Sequence, residues 1–153
     1  TGKTTLLKEI IATTHKNTAV VAPTGIAALN AGGVTIHSLF QLPFAAFIPD
    51  YKPVNLISGS QKFESRFTLG RHFMMNRTKK AVIQNLELLV VDEVSMLRAD
   101  VLDAMDFMLQ KVRKNDQPFG GCQVLFIGDL LQLPPVPEKK DSEQEKIYNE
   151  NYK

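Results

Sequence analysis

The first residues of the chain have the types and the order that bind the phosphates of a nucleotide. Gly2, Lys3 and Thr4 match the second half of the pattern G-x-x-x-x-G-K-[ST]. In that pattern the lysine reaches the β- and γ-phosphates, and the threonine hydroxyl binds Mg²⁺ at the start of a helix whose positive end favours anions. The sequence therefore predicts nucleotide contacts at Gly2, Lys3, Thr4 and Thr5, with Thr4 also on the metal.

The phosphate-binding pattern is incomplete. Its first glycine, and the strand that precedes it, are not in the sequence, so we expect the chain to be a fragment of a longer protein. A lone Gly-Lys-Thr also occurs in ordinary exposed loops, where the lysine has no ligand. The assignment therefore depends on partner residues further along the chain.

Two adjacent carboxylates supply the first of these partners. Residues 88–91 form a continuous apolar run that ends at Asp92 and Glu93, which is typical of a strand buried on both faces of a parallel sheet. Such a strand delivers its acids at the carboxyl edge of the sheet. We expect Asp92 to hold Mg²⁺, directly or through water, and Glu93 to polarise the water that attacks the γ-phosphorus. Taken alone, the two acids could also end a surface strand, but their combination with the Gly-Lys-Thr tripeptide favours catalysis.

A second apolar run, at 123–129, predicts another buried strand. It ends in Gly128 and Asp129 and leads into a segment with two adjacent prolines at 130–136. Gln132 lies just beyond this predicted strand. A glutamine at such a place can sense a γ-phosphate.

Helical and extended patterns alternate along the chain, which predicts an α/β fold with a parallel sheet flanked by helices. The predicted elements are helices at about 3–15, 25–31 and 101–112, and strands at 19–22, 88–91 and 123–129. Pro23 stops the first of these strands, and Thr24 can cap the helix that follows. Gly32 and Gly33 are expected to end that helix.

Between residues 42 and 80 this alternation is lost. The breaks are at Pro43, Pro49, Pro53, Gly59 and Gly70, which indicates an insertion into the sheet. Residues 51–80 carry only one acid, Glu64, and are rich in basic residues, namely Lys52, Lys62, Arg66, Arg71, Arg77, Lys79 and Lys80. Aromatic residues are interleaved with them, at Tyr51, Phe63, Phe67 and Phe73. Charges for phosphates and rings for bases are what single-strand binding requires, although the rings could equally be the core of a small subdomain.

The composition agrees with one modest globular domain. With 153 residues, of which 44% are apolar, the chain can bury a core, and its net charge is only +2. The single cysteine, Cys122, lies in an apolar run and is expected to be a small core residue.

No apolar run approaches the ~18 to 20 residues that cross a bilayer. We therefore expect no membrane partner and an intracellular location, in the cytoplasm of a bacterium or in the nucleus or mitochondrion of a eukaryote. Residues 137–153 are polar and lack apolar periodicity, so we expect a solvated helix or a frayed end there.

Five blocks of the sequence, taken together, resemble the petite-integration-frequency DNA helicases in the RecD-like branch of superfamily 1. The blocks are GKT at 2–4, APTGIAA at 22–28, TIHSLF at 35–40, DEVSML at 92–97 and GDLLQLPPV at 128–136. Val94 stands where isoleucine is more usual in that family. The resemblance implies a P-loop NTPase fold of the RecA-like type over 1–136 that lacks its first strand. It also implies a small inserted subdomain at about 42–80 and a polar C-terminal segment at 137–153.

The function implied by the resemblance is that of an ATP-driven motor. Such helicases move 5′ to 3′ along single-stranded DNA and unwind duplexes. ATP and Mg²⁺ are then the cofactors, and single-stranded DNA and duplex junctions are the partners of a monomeric enzyme, whose inserted subdomain helps to split the duplex. By the same resemblance a second RecA-like domain with arginine fingers is missing here. We therefore expect this chain alone neither to hydrolyse ATP well nor to unwind DNA.

The resemblance also assigns roles to single residues. Lys3 and Thr4 match the nucleotide loop, Asp92 and Glu93 match the Mg²⁺ and water residues, and Gln132 matches the γ-phosphate sensor. Asp129 supports the turn that carries this sensor. The residues implied to touch the DNA backbone are Pro23, Thr24, Gly25, Thr35 and His37. Without the resemblance, His37 would more simply be a satisfied loop or core histidine.

Two other classes of protein account for parts of the sequence. A P-loop ATPase that is not a helicase, such as a kinase or a transport ATPase, explains Lys3, Thr4 and the paired acids but not the blocks at 35–40 and 132–135. A non-catalytic nucleic-acid-binding module explains the basic and aromatic stretch. It gives no reason for a glutamate beside a metal-binding aspartate.

Overall fold

The structure is a computed structural model that describes residues 2–52, 63–72, 74–135 and 142–152. Its elements in chain order are α1 (Gly2–Thr13), β1 (Thr18–Ala22), α2 (Gly25–Ala31), β2 (Val34–Thr35), α3 (Ile36–Phe40), α4 (Arg66–His72), α5 (Arg77–Gln84), β3 (Leu88–Val91), α6 (Ala99–Arg113), β4 (Gln123–Phe126) and α7 (Ser142–Asn151). Short 3₁₀ helices lie at Val94–Met96 and Pro118–Gly121. None of the helices described combines the length and the apolarity that crossing a membrane requires.

The four strands form one parallel sheet in the order β2-β1-β3-β4. Val20 of β1 is in register with Val90 of β3, and Val90 with Leu125 of β4. Because the strands run the same way, their carboxyl ends meet at one edge of the sheet. The predicted α/β fold with a parallel sheet and flanking helices is confirmed.

Two apolar layers cover the two faces of the sheet, and β3 contributes to both. Leu89 and Val91 pack with residues of α3, α5 and α6, whereas Leu88 and Val90 pack with Leu7 of α1. This division follows from the alternation of side chains along a strand. All four β3 side chains are buried, so the strand before the paired acids has the two-sided burial that its sequence predicts.

The prediction of a buried strand at 123–129 is wrong in its extent and its burial. The strand β4 covers only Gln123–Phe126, both of its end residues are exposed, and the Phe126 side chain is 41% exposed. Among the described strands β4 pairs with β3 alone, which leaves its other edge uncovered. A short apolar run does not distinguish an edge strand from a central one. Cys122 precedes β4 instead of lying within it, and it is buried as expected.

The described part of 42–80 packs against the same core as the sheet. Leu42, Phe47 and Leu69 join the layer that covers α6. Tyr51 is half-buried and lies edge-on to the buried Phe63, with 5.2 Å between ring centroids, so these two rings pack in a separate apolar cluster. The boundaries of an inserted subdomain stay a prediction. Several residues singled out there, Pro53, Gly59, Lys62 and Phe73, lie outside the described residues.

The polar C-terminal segment forms a docked helix. The hydroxyl of Tyr148 on α7 donates to Asp100 at 3.1 Å, and that of Tyr152 donates to Asp103 at 2.8 Å. Ile147 packs against the buried group formed by Ala46, Ile48 and Phe63. The expected helix is present, but it is not simply solvated, because tyrosine rings pack as apolar groups while their hydroxyls hydrogen-bond.

Candidate nucleotide and nucleic-acid site

The carboxyl edge of the sheet opens into a cleft of about 860 Å³. Its wall includes the start of α1, the turn after β3 and the segment after β4. Thr4, Asp92, Glu93 and Gln132 come from these three places and line the same cleft. Sequence blocks that were predicted separately to bind metal, to orient water and to sense a γ-phosphate thus converge at one place.

The cleft neighbourhood contains two polar atoms that lack partners. The Nζ of Lys3 and the Oγ of Ser95 are buried and have no hydrogen-bond partner among the described residues. Lys3 lies in the first turn of α1, where free N–H groups also favour negative charge. A buried ammonium group is costly unless an anion pairs with it. This part of the molecule therefore fits a phosphate chain.

The paired acids lie on a strained turn. The Asp92 N–H donates to Val21 O at 2.9 Å, which fixes the end of β3 to β1, and the Glu93 N–H donates back to Asp92 Oδ1 at 2.9 Å. Glu93 has a φ of 53° and a ψ of 45°, a left-handed conformation that a residue with a side chain adopts at a cost. The N–H of Val94 then donates to Ile127 O at 3.0 Å. The strand end and its neighbours thereby fix the position of Glu93.

The segment after β4 approaches this turn closely at Gly128. A Cβ there would lie 2.6 Å from Val94 Cγ1 and 2.9 Å from Val94 N, so only glycine fits. Beyond it, Asp129 Oδ1 accepts from the Leu131 N–H at 3.0 Å, and Asp129 O accepts from the Gln132 N–H at 3.0 Å. Asp129 therefore supports the turn that carries Gln132.

A second cavity, of about 160 Å³, adjoins the first. It brings together Pro23, Thr24 and His37, three of the residues that the resemblance places on DNA, and adds Arg98. Thr24 lines both cavities, as does Met96. The predicted nucleotide side and the predicted DNA side thus share Thr24, from the turn after β1, and Met96, from the turn after β3.

Two of the predicted DNA residues also hold helix ends. Thr24 Oγ1 accepts from the Ala27 N–H at 3.2 Å at the start of α2, and Thr35 Oγ1 accepts from the Ser38 N–H at 3.1 Å at the start of α3. Such caps stabilise a helix by about 1 kcal/mol. Each hydroxyl still has its own proton to donate, so capping does not conflict with a phosphate contact.

Some predicted site residues lie outside the linings of both cavities. Gly2, Lys3, Thr5 and Asp129 do not line the larger cleft, and Gly25 and Thr35 line neither cavity. All lie on elements that border the site. The individual roles of the predicted nucleotide, metal and DNA residues stay predictions.

Sequence reasoning missed Arg98 and the role of Asp100. Asp100 is fully buried and accepts from Arg98 Nε at 2.9 Å and Nη2 at 2.6 Å, and from the Phe47 N–H at 3.0 Å. Burial raises the pKa of Asp100, but the hydrogen bonds from Arg98 and Phe47 and the charge of Arg98 outweigh it, so the net pKa lies below its usual value. The signal was an arginine two residues before an aspartate, just ahead of the helix predicted at 101–112.

The fold and the site together define a class of protein. Thr4, the paired acids Asp92 and Glu93, and Gln132 line one cleft at the carboxyl edge of a parallel sheet, as in a RecA-like P-loop domain. The family model for PIF1-like helicases matches residues 1–151. The chain belongs to the PIF1-like helicase family.

Individual relatives agree with this assignment. The chain is 42% identical over 141 residues to the ATP-dependent DNA helicase PIF1 of Saccharomyces cerevisiae, covering 89% of this chain and 14% of that protein. It is 35% identical over 149 residues to the ATP-dependent DNA helicase Pif1 of a Psychrobacter species, covering 95% of this chain and 20% of that protein. The chain therefore spans only 14% and 20% of the length of these two relatives.

Solved structures show the same similarity. The Bacteroides Pif1 bound to single-stranded DNA superposes with a TM-score of 0.78 at 42% identity, over 99% of this chain and 30% of that one. The Bacteroides Pif1 in complex with ADP-AlF4 superposes with a TM-score of 0.77 at 42% identity, also over 99% and 30%.

Proposed function

We propose that this chain is a motor domain of an ATP-dependent DNA helicase, which moves 5′ to 3′ along single-stranded DNA and unwinds duplexes. The observation that carries the proposal is the cleft at the carboxyl edge, where Thr4, Asp92, Glu93 and Gln132 meet. The second cavity, with Thr24 and His37, lies directly beside it. The relatives named as DNA helicases, and the Bacteroides structures with single-stranded DNA and with ADP-AlF4, support the same function.

The proposed nucleotide is ATP with Mg²⁺. Lys3 offers a buried ammonium group that no other described residue contacts through a hydrogen bond, as a phosphate chain requires. Thr4 and Asp92 are the residues that would hold Mg²⁺, which when bound neutralises charge on the phosphate oxygens. The described residues contain no cluster of three metal-binding His, Cys, Asp or Glu side chains. Few protein ligands suffice here, because Mg²⁺ at nucleotide sites takes most of its ligands from water and phosphate.

The residues of the chain divide the work of ATP hydrolysis. Glu93 is positioned by its left-handed backbone and by the Val94 to Ile127 hydrogen bond. We propose that its carboxylate orients the attacking water and accepts a proton from it. Gln132, on the turn that Asp129 supports, would report the presence of the γ-phosphate. Because Thr24 and Met96 line both cavities, a change in the nucleotide can alter the DNA side directly.

The first test concerns catalysis in the full-length protein. Glu93→Gln keeps the shape of the side chain but cannot accept a proton, so DNA-stimulated ATP turnover should fall by at least ~100-fold, the usual contribution of a general base. Affinity for Mg²⁺-ATP should change little. Lys3→Ala should instead weaken nucleotide binding and turnover together, since it removes a group that meets the phosphates.

Glu87→Gln is the matched control. It makes the same chemical change on an exposed residue at the opposite, amino edge of β3, and it should leave turnover and affinity unchanged. Turnover of Glu93→Gln at the parental rate would exclude the catalytic role. Wild-type protein that binds DNA but neither binds nor hydrolyses ATP would favour a non-catalytic binding module.

The oligomeric state and the location are also proposals. We propose a monomeric, intracellular enzyme that acts on single strands and duplex junctions. One structural relative, however, has been described as unwinding forked double-stranded DNA through two coordinating Pif1 molecules. Analytical ultracentrifugation of the full-length protein with and without a forked substrate distinguishes the two arrangements.

A further inference from the structure

One aromatic side chain beside the second cavity is almost fully exposed. Phe44 is 88% exposed, yet its ring lies parallel to the His37 imidazole, with 5.0 Å between centroids and 9° between planes. A phenyl ring in water loses the stabilisation that burial gives it. The stack on His37 holds the ring at one orientation, so it presents a flat apolar surface to solvent.

The backbone on both sides of Phe44 is fixed. Leu42 is buried, and its N–H donates to His37 O at 3.0 Å at the end of α3. Ala46 is buried too, and its carbonyl accepts from the Glu64 N–H at 2.9 Å. Pro43 restricts the backbone between these anchors. Phe44 is therefore held on a short, pinned loop, which lowers the entropy that a ligand must overcome to stack on it.

Basic residues border the helix α3, which carries His37. Lys79 Nζ donates to Ser38 O at 2.6 Å, and the Asn76 N–H donates to Gln41 Oε1 at 2.8 Å, so the start of α5 packs beside α3. That helix start also carries the exposed Arg77. On the other side, His37 lines the cavity that contains Arg98. An exposed ring stacked on a helix that cations border suits a base attached to a phosphate backbone better than it suits an apolar protein partner.

We propose that Phe44 stacks on a nucleobase of the single strand, with His37 as the positioning residue that holds its ring. This inference rests on the proposed function, because it assigns a base contact to the same DNA track. It adds to that function a residue that meets the base rather than the phosphate. Stacking is tolerant of sequence because every base has a flat face, so the contact provides grip without sequence preference.

The test compares normal and abasic single strands bound by the full-length protein. Phe44→Ala should lower the affinity for a fluorescein-labelled normal oligonucleotide by between about 5-fold and 100-fold, the range for loss of one stacked base. On an oligonucleotide of the same length built from abasic residues the affinity should not change. Phe44→Trp should retain binding to the normal strand. Fluorescence anisotropy measures the affinity of the wild-type protein and of both variants for each strand.

Met74→Ala is the control, because Met74 is 95% exposed and takes part in none of the ring contacts seen among the described residues. It should leave both affinities unchanged, and an equal loss there would show that any exposed apolar side chain has the effect. Equal losses on normal and abasic strands for Phe44→Ala, or no loss at all, would overturn the stacking role. If the wild-type protein bound neither strand, the proposed function itself would fail.

Discussion

At the scale of the residue, Glu93 is the most constrained member of the site. A left-handed backbone at a residue other than glycine costs about 1 to 3 kcal/mol and persists only where neighbours enforce it. Here the neighbours are Asp92, whose carboxylate accepts from the Glu93 N–H, and Ile127, whose carbonyl accepts from the Val94 N–H. The position of the proposed water-orienting group therefore depends on the chain that follows β4, which also carries Gln132.

Gly128→Ala tests this dependence. The added Cβ would meet Val94 Cγ1 at 2.6 Å and Val94 N at 2.9 Å, so the turn must shift and overpacking should cost about 1 to 3 kcal/mol of unfolding free energy. Because the shifted turn carries Glu93, ATP turnover should fall more than nucleotide affinity does. Chemical denaturation and steady-state ATPase assays of the full-length protein measure the two effects.

Gly25→Ala is the stability control for that substitution. A Cβ at Gly25 meets nothing within 4 Å, and alanine is a better helix residue than glycine. Its unfolding free energy should stay the same or rise slightly. Normal turnover in Gly128→Ala would show that Glu93 does not need the close contact with the segment after β4.

The sequence predicts the residues of the site better than it predicts their supports. Thr4, Asp92 and Glu93 follow motifs whose place at strand and helix ends is set by the fold, and parallel strands bring such ends to one edge. Phe44 and Asp100 belong to no such motif. Their partners, His37 and Tyr148, are brought to them by tertiary packing, which apolar periodicity does not report.

At the scale of the element, Asp100 joins three parts of the fold. From the start of α6 it accepts from Arg98 at the second cavity, from the Phe47 N–H in the loop after α3, and from Tyr148 on α7. Burial, followed by the charge of Asp100, raises the pKa of Tyr148 to about 12, so this hydroxyl remains a donor at neutral pH. One carboxylate thus fixes the DNA-side arginine relative to two packing elements.

Asp100→Asn should destabilise the protein and make its free energy of unfolding depend less on pH in the acidic range. The folded pKa of Asp100 lies below its ordinary value, so its ionisation favours folding. That contribution to stability is complete above the ordinary aspartate pKa of ~4, and it is lost as the pH falls through the folded pKa. At pH 7 the variant should lose about 3 kcal/mol, because the largely buried guanidinium of Arg98 loses the opposite charge that it contacts through two hydrogen bonds. Urea denaturation at several pH values between ~3 and ~7 measures both effects. This range begins about one unit below the ordinary aspartate pKa and ends about three units above it.

Asp103→Asn is the control on the same helix. Asp103 is exposed and accepts from Tyr152, so its substitution should lower the free energy of unfolding by less than Asp100→Asn does. If the free energy of unfolding of Asp100→Asn fell at acidic pH as steeply as that of the wild type, other carboxylates would account for the pH dependence.

Elements that obey local rules are predictable, and elements defined by their neighbours are not. The helix α2 has the bounds, the Thr24 cap and the left-handed Gly32 end that the sequence predicts. In contrast, β4 has the composition of a central strand but has one paired edge among the described strands. The helix α7 is polar overall, and it docks through Tyr148 and Tyr152. In both cases the decisive partner lies far away in sequence.

At the scale of the whole molecule, charge is distributed between the two edges of the sheet. The net charge is only +2, too small to attract a polyanion uniformly, so the proposed DNA binding requires local groups. Arg77 begins α5, and α5 leads into β3, which starts at the amino edge of the sheet. The start of α5 therefore lies toward the carboxyl edge, beside α3. Lys16 lies at the amino edge, where its Nζ donates to Gln123 at the start of β4.

This difference predicts how salt affects two single substitutions. Arg77→Gln should weaken single-strand binding at low salt and reduce the slope of log affinity against log salt by ~0.7, the value for one phosphate contact. Lys16→Gln removes the same charge at the opposite edge and should leave affinity and slope unchanged. Anisotropy titrations of the full-length protein at several salt concentrations measure both slopes. Equal effects of the two variants on affinity would mean that DNA binding depends on total charge. A loss of affinity in Lys16→Gln alone would place the DNA strand at the amino edge of the sheet.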